Sequence, residues 1–258
     1  MSVGTLAIRS DIGNYDGSMS DSKFISQLEA LGDVDEIQLF VNSYGGSVFA
    51  ATTIYQSLVR HPATVNVVIE GLCASAASFV AMAGDTISIA ASSFFMAHPA
   101  QSGVIGDSRD MRRQADVLDQ LTDTIAGIYA SRSGGSKADW LAALQDELWL
   151  SGSELAATGI ATLIPNKGPV GEPSAMAKAA SSVANRSSAG RAMVNRLIAG
   201  RGKARPIDRS LAATLASYSN RADTVRQNEI ESGRQANRAA IMANSHSPSQ
   251  AARYLQWS

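Results

Sequence analysis

The sequence predicts an α/β fold followed by a basic C-terminal tail, and three observations support this. Short apolar strands alternate with amphipathic helices over residues 6–157, a pattern typical of parallel crossover units. Hydrophobic residues make up 45% of the 258 residues and charged residues 17%, as in globular proteins with a core. The net charge is −9 over residues 1–170 and +8 over residues 171–258. We therefore expect an acidic folded domain at 1–165 and a linker with a basic, partly helical or disordered tail at 166–258.

The individual elements are predicted from apolar spacing, capping residues and glycine breaks. Strands are expected at Leu6–Arg9, Glu36–Val41, Val65–Ile69, Thr86–Ala90 and Phe94–Ala97, with Gly71 ending the third. Helices are expected at Ser20–Leu31, Val48–Arg60, Ala74–Ala83, Arg109–Tyr129 and Asp139–Leu144, with a short helix through Glu154–Ala157. In the tail, Pro165–Pro173 is linker-like, and Leu211–Ala243 has helical spacing but little apolar surface to offset the entropy of ordering.

Several classes of protein are disfavoured by what the sequence lacks. Its one cysteine, Cys73, excludes an internal disulfide framework and fits a reducing compartment. The N-terminus does not have the pattern of a signal peptide, and no segment approaches the roughly 18 apolar residues of a membrane span. Neither a phosphate-binding glycine loop nor a cluster of metal ligands is visible. We expect a cytoplasmic protein without metal or cofactor, with nucleic acid contacted only through the basic tail.

Two segments carry residues suited to nucleophilic chemistry. Ser75 follows a predicted strand and opens a predicted helix, where nearby N–H groups favour a developing oxyanion. His98 ends an apolar strand, and strand ends are where sites collect in open α/β sheets. Each residue alone has an ordinary interpretation as a packing serine or a structural histidine.

Two further segments carry supporting groups. Gly45 and Gly46 follow a strand and allow close approach of the backbone to a ligand, although Gly-Gly more often marks an ordinary turn. Asp146 and Glu147 precede a short helix, where a carboxylate could orient a histidine or simply cap the helix.

Together these segments resemble the Clp protease proteolytic subunit family, and within it the phage and prophage head-maturation branch. The resemblance occurs in family order and at family-like spacing across about residues 5–165. It rests on VNSYGGSVFA at 41–50, GLCASAAS at 71–78, AGD at 83–85, FMAHP at 95–99 and WLSGSELAATGI at 149–160. Each motif is weak alone, and the ordered set is strong.

The resemblance implies a role for each candidate residue. Ser75 would be the nucleophile, His98 the general base, and the N–H groups of Gly46 and Ala76 the oxyanion hole. The third triad member falls at Glu147, where the family usually has aspartate, and Asp146 is the alternative. Another departure is Tyr44, which stands where the family usually has proline.

The resemblance also implies an architecture and partners. The family fold is a crotonase-like spiral of strand–strand–helix units with a projecting handle helix, which Arg109–Tyr129 would form. A homo-oligomeric ring and a separate ATPase unfoldase are the expected partners. The expected substrate is a polypeptide, in this branch a capsid or scaffold protein, and the expected location is the host cytoplasm or the phage prohead.

Other functions stay open at this point. A crotonase-type acyl-CoA enzyme would share the fold but has no reason to carry Ser75, His98 and Glu147 together. A peptidase with a Ser–Lys pair is disfavoured because no lysine occurs between Lys23 and Lys137. An ATP-dependent Clp-type housekeeping subunit and a catalytically silent capsid-assembly or scaffold protein remain alternatives.

Overall fold

Alternation of buried and exposed side chains produces the strands of a mainly parallel sheet. The computed structural model describes residues 1–164 and 188–200, all of which lie in one compact unit. Within these residues the strands are β1 (Val3–Ile8), β2 (Glu36–Ser43), β3 (Thr64–Ala74), β4 (Thr86–Ala90), β5 (Phe94–Ala97), β6 (Leu148–Ser151) and β7 (Thr162–Ile164). The parallel order is β1-β2-β3-β4-β7. β5 lies parallel to the end of β3, and β6 pairs antiparallel with β5.

Helices connect the strands, and most begin at a side-chain cap. They are α1 (Asp21–Glu29), α2 (Val48–Arg60), α3 (Ala76–Ala81), α4 (Ser108–Ser133), α5 (Lys137–Leu144), α6 (Gly152–Ala157) and α7 (Ser188–Gly200). Asp107 and Ser151 begin α4 and α6 with capping boxes, in which the cap and the third helical residue satisfy each other's N–H groups. Not one of the helices in the described ranges is long and apolar enough to cross a membrane.

The core lies where the helices cover the sheet, and its aromatic part gathers α4 and α5 against β5. Tyr129 stacks on Trp140 with ring centroids 4.7 Å apart and meets the edge of Phe95 at 6.0 Å. All three side chains are buried, and burying one such side chain stabilises the fold by about 1.5–3 kcal/mol. The buried residues of α4 begin only at Leu121, so its N-terminal half is exposed.

The predicted α/β class is confirmed, and several elements match residue for residue. α2, β4 and β5 have the predicted bounds, and Ser20 caps α1 as its position before the apolar stripe indicated. α3 begins two residues later than predicted because Ser75 has φ 54°, which a right-handed helix does not contain.

The prediction that Gly71 ends the third strand is wrong. β3 continues to Ala74 because it changes partner, leaving β4 at Ile69 and pairing with β5 from Leu72. The register against β2 shifts at the same point, between Val41 and Ser43. A Cβ on Gly71 would stand 2.7 Å from the side-chain amide oxygen of Asn42, which accepts a hydrogen bond from Leu72 N–H at 2.9 Å, so a larger residue there would displace the Asn42 side chain.

One described helix lies within the predicted tail. α7 packs against α5, with Met193 and Leu197 buried, and the Arg196 guanidinium pairs with Asp139. The predicted linker at 165–173 and the predicted helical stretch at 211–243 lie outside the described residues. The division of the chain at 165/166 stays a prediction.

Candidate active site

Ser75 occupies the junction between β3 and α3, in a backbone conformation that side chains with a Cβ rarely adopt. Its φ is 54° and its ψ is −126°, and it is the residue immediately before the helix. The Ser75 N–H donates to the carbonyl of Met96 on β5 at 2.9 Å, which holds the junction from one side. Non-glycine residues at positive φ are enriched at functional sites, where surrounding contacts hold the strain. The side chain is half-buried and therefore accessible.

His98 lies directly after β5 and contacts the Ser75 hydroxyl. Its Nε2 is 2.7 Å from Ser75 Oγ, and its Nδ1 is 2.6 Å from the carbonyl oxygen of Pro99. A carbonyl oxygen can only accept, so Nδ1 carries the proton in the neutral ring and Nε2 is left to accept from the serine hydroxyl. This is the tautomer that a general base needs in order to deprotonate Ser75.

The two predicted oxyanion donors, Gly46 and Ala76, line the same cleft as Ser75, and their N–H groups are unused within the described residues. Among the hydrogen bonds of residues 1–164 and 188–200, neither Gly46 N–H nor Ala76 N–H donates to an acceptor. Gly45 lies against the nucleophile, because a Cβ on it would stand 2.7 Å from both Ala76 N and Ser75 Cβ. A Cβ on Gly46 would stand only 2.1 Å from Ile12 O. Gly45 is therefore required for the backbone to approach Ser75 this closely, and Gly46 is required for it to pass the backbone of Ile12.

A cleft of about 410 Å³ opens beside these groups. Phe79 and Ile125 give the cleft an apolar lining, and Ser75 and His98 line it as well. An extended polypeptide with one side chain in the cleft could place a carbonyl carbon next to Ser75 Oγ.

The two candidate acids are exposed, and neither is hydrogen-bonded to His98 in the described part of the chain. Glu147 directly precedes β6, and His98 directly follows β5. The two strands pair antiparallel, with Ala97 opposite Leu148 as the last pair of the register, so His98 and Glu147 both leave the sheet at this end of the pairing. Glu147 has φ 54°, and its N–H donates to Leu144 O at 3.1 Å, which closes the turn after α5. The structure thus brings together Ser75, His98, Gly46 and Ala76, while the third-member role of Glu147 or Asp146 stays a prediction.

Cys73 lies two residues before Ser75 and is part of the core. Its side chain is fully buried, and burial raises the pKa of the thiol far above its usual range. The Sγ atom lies 3.4 Å from the carbonyl of Ala77. Because only the thiolate is a strong nucleophile, the residue acts as a small core side chain.

Two residues beside the site received no role from the sequence. Ser78 Oγ lies 2.6 Å from the hydroxyl of Tyr129 and donates to Ser75 O at 2.5 Å. Ser78 lies three residues after Ser75 on a short helix, and that spacing is the only signal that could have pointed to it. Tyr129 is 51 positions further along the chain, so the pairing exists only in the fold. No group of three or more histidine, cysteine, aspartate or glutamate side chains that could hold a metal occurs in the described residues.

Within the described residues, a mainly parallel α/β sheet thus carries a serine at a strand–helix junction, with a histidine on its hydroxyl and two unused backbone N–H groups beside it, and this arrangement is suited to chemistry at the serine hydroxyl. The model of the Clp protease family matches residues 12–167, which is more than half of the chain. The chain belongs to the Clp protease family, a family of peptidases.

Individual relatives agree with this assignment. The chain is 27% identical over 160 residues to the "ATP-dependent Clp protease proteolytic subunit" of Chloranthus spicatus, covering 57% of this chain and 79% of that protein. It is 28% identical over 135 residues to the subunit of the same name from Deinococcus radiodurans, covering 52% and 66%. It is 31% identical over 140 residues to the one from Pleurastrum terricola, covering 53% and 71%.

Proposed function

We propose that the protein is a serine endopeptidase that cleaves polypeptides through an acyl-enzyme at Ser75. The observation that carries this proposal is the 2.7 Å contact between Ser75 Oγ and His98 Nε2, made by the ring nitrogen that is free to accept a proton. Membership of a peptidase family supports the same reaction class.

In the proposed reaction, Ser75 Oγ attacks the scissile carbonyl carbon while its proton passes to His98 Nε2. The carbonyl oxygen becomes an oxyanion that accepts from the N–H groups of Gly46 and Ala76, and one such donor is typically worth on the order of 100- to 1000-fold in rate. Collapse of this tetrahedral intermediate breaks the C–N bond of the peptide, and His98 gives its proton to the leaving amine. A water molecule then attacks the acyl carbon while its proton passes to His98 Nε2; the bond from the acyl carbon to Ser75 Oγ breaks, and His98 returns the proton to Ser75 Oγ.

We propose Glu147 as the acid that stabilises the His98 imidazolium, in preference to Asp146. The resemblance to the family supports this choice, because Glu147 falls where the family usually has aspartate, and Glu147 directly precedes β6, which pairs with β5 up to Ala97, the residue before His98. The carboxylate would replace the Pro99 carbonyl as the acceptor from Nδ1, which requires the turn after α5 to rearrange.

The decisive test of peptidase chemistry is active-site labelling. A fluorophosphonate probe should modify Ser75 in the full-length protein, as mapped by peptide mass spectrometry, and Ser75→Ala should abolish the labelling. Ser26→Ala, which removes the hydroxyl of an exposed serine on α1, is the matched control and should leave the labelling unchanged. No labelling of the assembled, unmodified protein would contradict the proposal and favour a silent assembly or scaffold role.

For the biological role, we propose maturation of a phage or prophage head, with capsid or scaffold protein as the substrate. Two features support it: the resemblance of the motifs to that branch, and a C-terminal segment of net charge +8 that lies beyond the family match. The names of the relatives support the alternative, a housekeeping subunit that works with a separate ATPase. Location in the host cytoplasm or the prohead follows from whichever role holds.

A homo-oligomeric ring is part of this proposal. The exposed N-terminal half of α4 and the segment before it carry the apolar side chains Val104, Ile105 and Met111, which a second copy of the chain could cover. Native mass spectrometry should give a multiple of the 27.0 kDa chain.

Peptide mapping after incubation separates the two roles. Cleavage within residues 165–258 by the protein alone, absent from Ser75→Ala, is expected for head maturation. Degradation of a folded substrate that requires an added Clp ATPase and ATP would favour the housekeeping alternative.

A further inference from the structure

The carbonyl of Ser75 accepts two hydrogen bonds from one residue, Ser78. Ser78 N–H donates to it at 3.0 Å, as the first turn of α3 requires, and Ser78 Oγ donates to it at 2.5 Å. Because the hydroxyl proton of Ser78 is used in this way, the hydroxyl of Tyr129, 2.6 Å away, must donate to Ser78 Oγ. The result is a directed chain of hydrogen bonds from Tyr129 through Ser78 to the Ser75 carbonyl.

The two side chains that form this series of hydrogen bonds are both buried. Ser78 is 0% exposed and Tyr129 is 2% exposed, and burial raises the pKa of the Tyr129 hydroxyl well above its usual range, so it remains a neutral donor. The Tyr129 ring is fixed between Trp140 and Phe95. Hydrogen bonds in such an environment are stronger than in water and polarise one another.

The Ser75 carbonyl belongs to the same peptide unit as Ala76 N–H, one of the two proposed oxyanion donors. The described residues contain no cis peptide bond, so the carbonyl and the N–H of this unit point in opposite directions. Fixing the carbonyl in the interior therefore aims the N–H into the cleft. Drawing electron density toward the carbonyl oxygen also makes the N–H a better donor.

We propose that Tyr129 and Ser78 are positioning residues that aim the Ala76 N–H at the oxyanion and hold Ser75 at its positive φ. The inference rests on the proposed peptidase function and deepens it. Neither side chain touches the reacting atoms in this scheme, since both act through the Ser75–Ala76 peptide unit. α4 and α5, which fix the Tyr129 ring, thereby contribute to the geometry of the oxyanion hole.

The test uses the full-length protein and two variants. Tyr129→Phe keeps the ring stack and removes only the hydroxyl, and should lower kcat about 3- to 10-fold with KM unchanged. Ser78→Ala removes the bond to the carbonyl itself and should lower kcat about 10- to 100-fold, less than the loss of a whole donor. In the Ser78→Ala background, Tyr129→Phe should have no further effect on kcat, because the hydroxyl acts only through Ser78.

A matched control is Tyr55→Phe, which removes the hydroxyl of another buried tyrosine, on α2. Tyr55→Phe should lower the melting temperature without changing kcat. If the role of Tyr129 were purely structural, Tyr129→Phe would likewise lower only the melting temperature. A peptide boronate, whose tetrahedral adduct places an oxygen in the oxyanion hole, should lose affinity for Tyr129→Phe by the same factor as kcat.

The outcomes are distinguishable. If the unmodified protein is not labelled by a fluorophosphonate, the proposed function fails and this inference with it. If the unmodified protein is labelled, and both Tyr129→Phe and Ser78→Ala are labelled at its rate and bind the boronate equally well, this inference alone is overturned. Ser78→Ala changes a single side-chain atom, and so keeps the test valid if Tyr129→Phe does not fold.

Discussion

The substitution Gly45→Ala tests the site by adding one methyl group against the nucleophile. Gly45 has φ 95°, and its new Cβ would stand 2.6 Å from Ala74 O and 2.7 Å from both Ala76 N and Ser75 Cβ. Ordinary contacts of a Cβ begin at 3.4 Å, so the strand–helix junction must move away. The atoms that must move are the backbone atoms Ala74 O and Ala76 N and the Cβ of Ser75, and no rotamer change can relieve these contacts.

Two effects of Gly45→Ala can be separated by magnitude. Placing alanine at positive φ costs about 1–3 kcal/mol of stability wherever it occurs. Displacement of reacting groups by about 1 Å costs on the order of 100-fold in rate. We therefore expect kcat/KM to fall by about 100-fold.

The control for Gly45→Ala is Gly32→Ala. Gly32 also has a positive φ, 63°, but a Cβ on it would meet nothing within 4 Å. Both variants should lower the melting temperature, while only Gly45→Ala should lose peptide hydrolysis and fluorophosphonate labelling. A Gly45→Ala protein with kcat/KM within threefold of the unmodified protein would refute the assigned position of the oxyanion hole.

Two further predictions concern the acid and the tail helix. Glu147→Gln should lower kcat by 100-fold or more if Glu147 stabilises the imidazolium, whereas Asp146→Asn should change it less than threefold; equal rates for Glu147→Gln and the unmodified protein would reject Glu147 as the third member. Leu197→Ala, in the interface of α7 with α5, should lower the free energy of unfolding by about 2–3 kcal/mol, measured by denaturant titration. Arg196→Ala, which breaks only a largely exposed ion pair, should cost about 1 kcal/mol or less.

The parts of the fold that sequence reasoning recovered are those determined by local pattern. α2 carries apolar residues at helical spacing between a serine cap and a His-Pro stop, and both of its ends were predicted. β6 was missed because Leu148–Ser151 is short and its last residue, Ser151, is also the N-cap of α6. Only the pairing with β5 identifies it as a strand. β7 has three residues and depends in the same way on β4.

The candidate site shows the same difference between residues that local sequence marks and residues that only the fold brings together. Ser75, His98 and the glycine pair lie at element ends that the sequence marks, and the structure brings them together. Ser78 and Tyr129 could not be paired in advance, because nothing in either segment indicates that the end of α4 packs over the start of α3. Side-chain pairs that depend on helix packing are set by the tertiary fold, and motif order does not encode them.

The partner of His98 Nδ1 is the feature that connects the observed geometry to the proposed acid. The Pro99 carbonyl sets the tautomer as well as a carboxylate would, so the ground state of the base is already correct. It carries no full charge, so it stabilises the imidazolium of the transition state less than an ionised acid does. Glu147 directly precedes β6, whose pairing with β5 ends at the residue before His98, and it is held in a turn by the hydrogen bond from its N–H to Leu144 O. A rearrangement of this turn, on assembly or on substrate binding, would therefore add the missing charge without changing the tautomer, and the size of the Glu147→Gln effect measures that contribution directly.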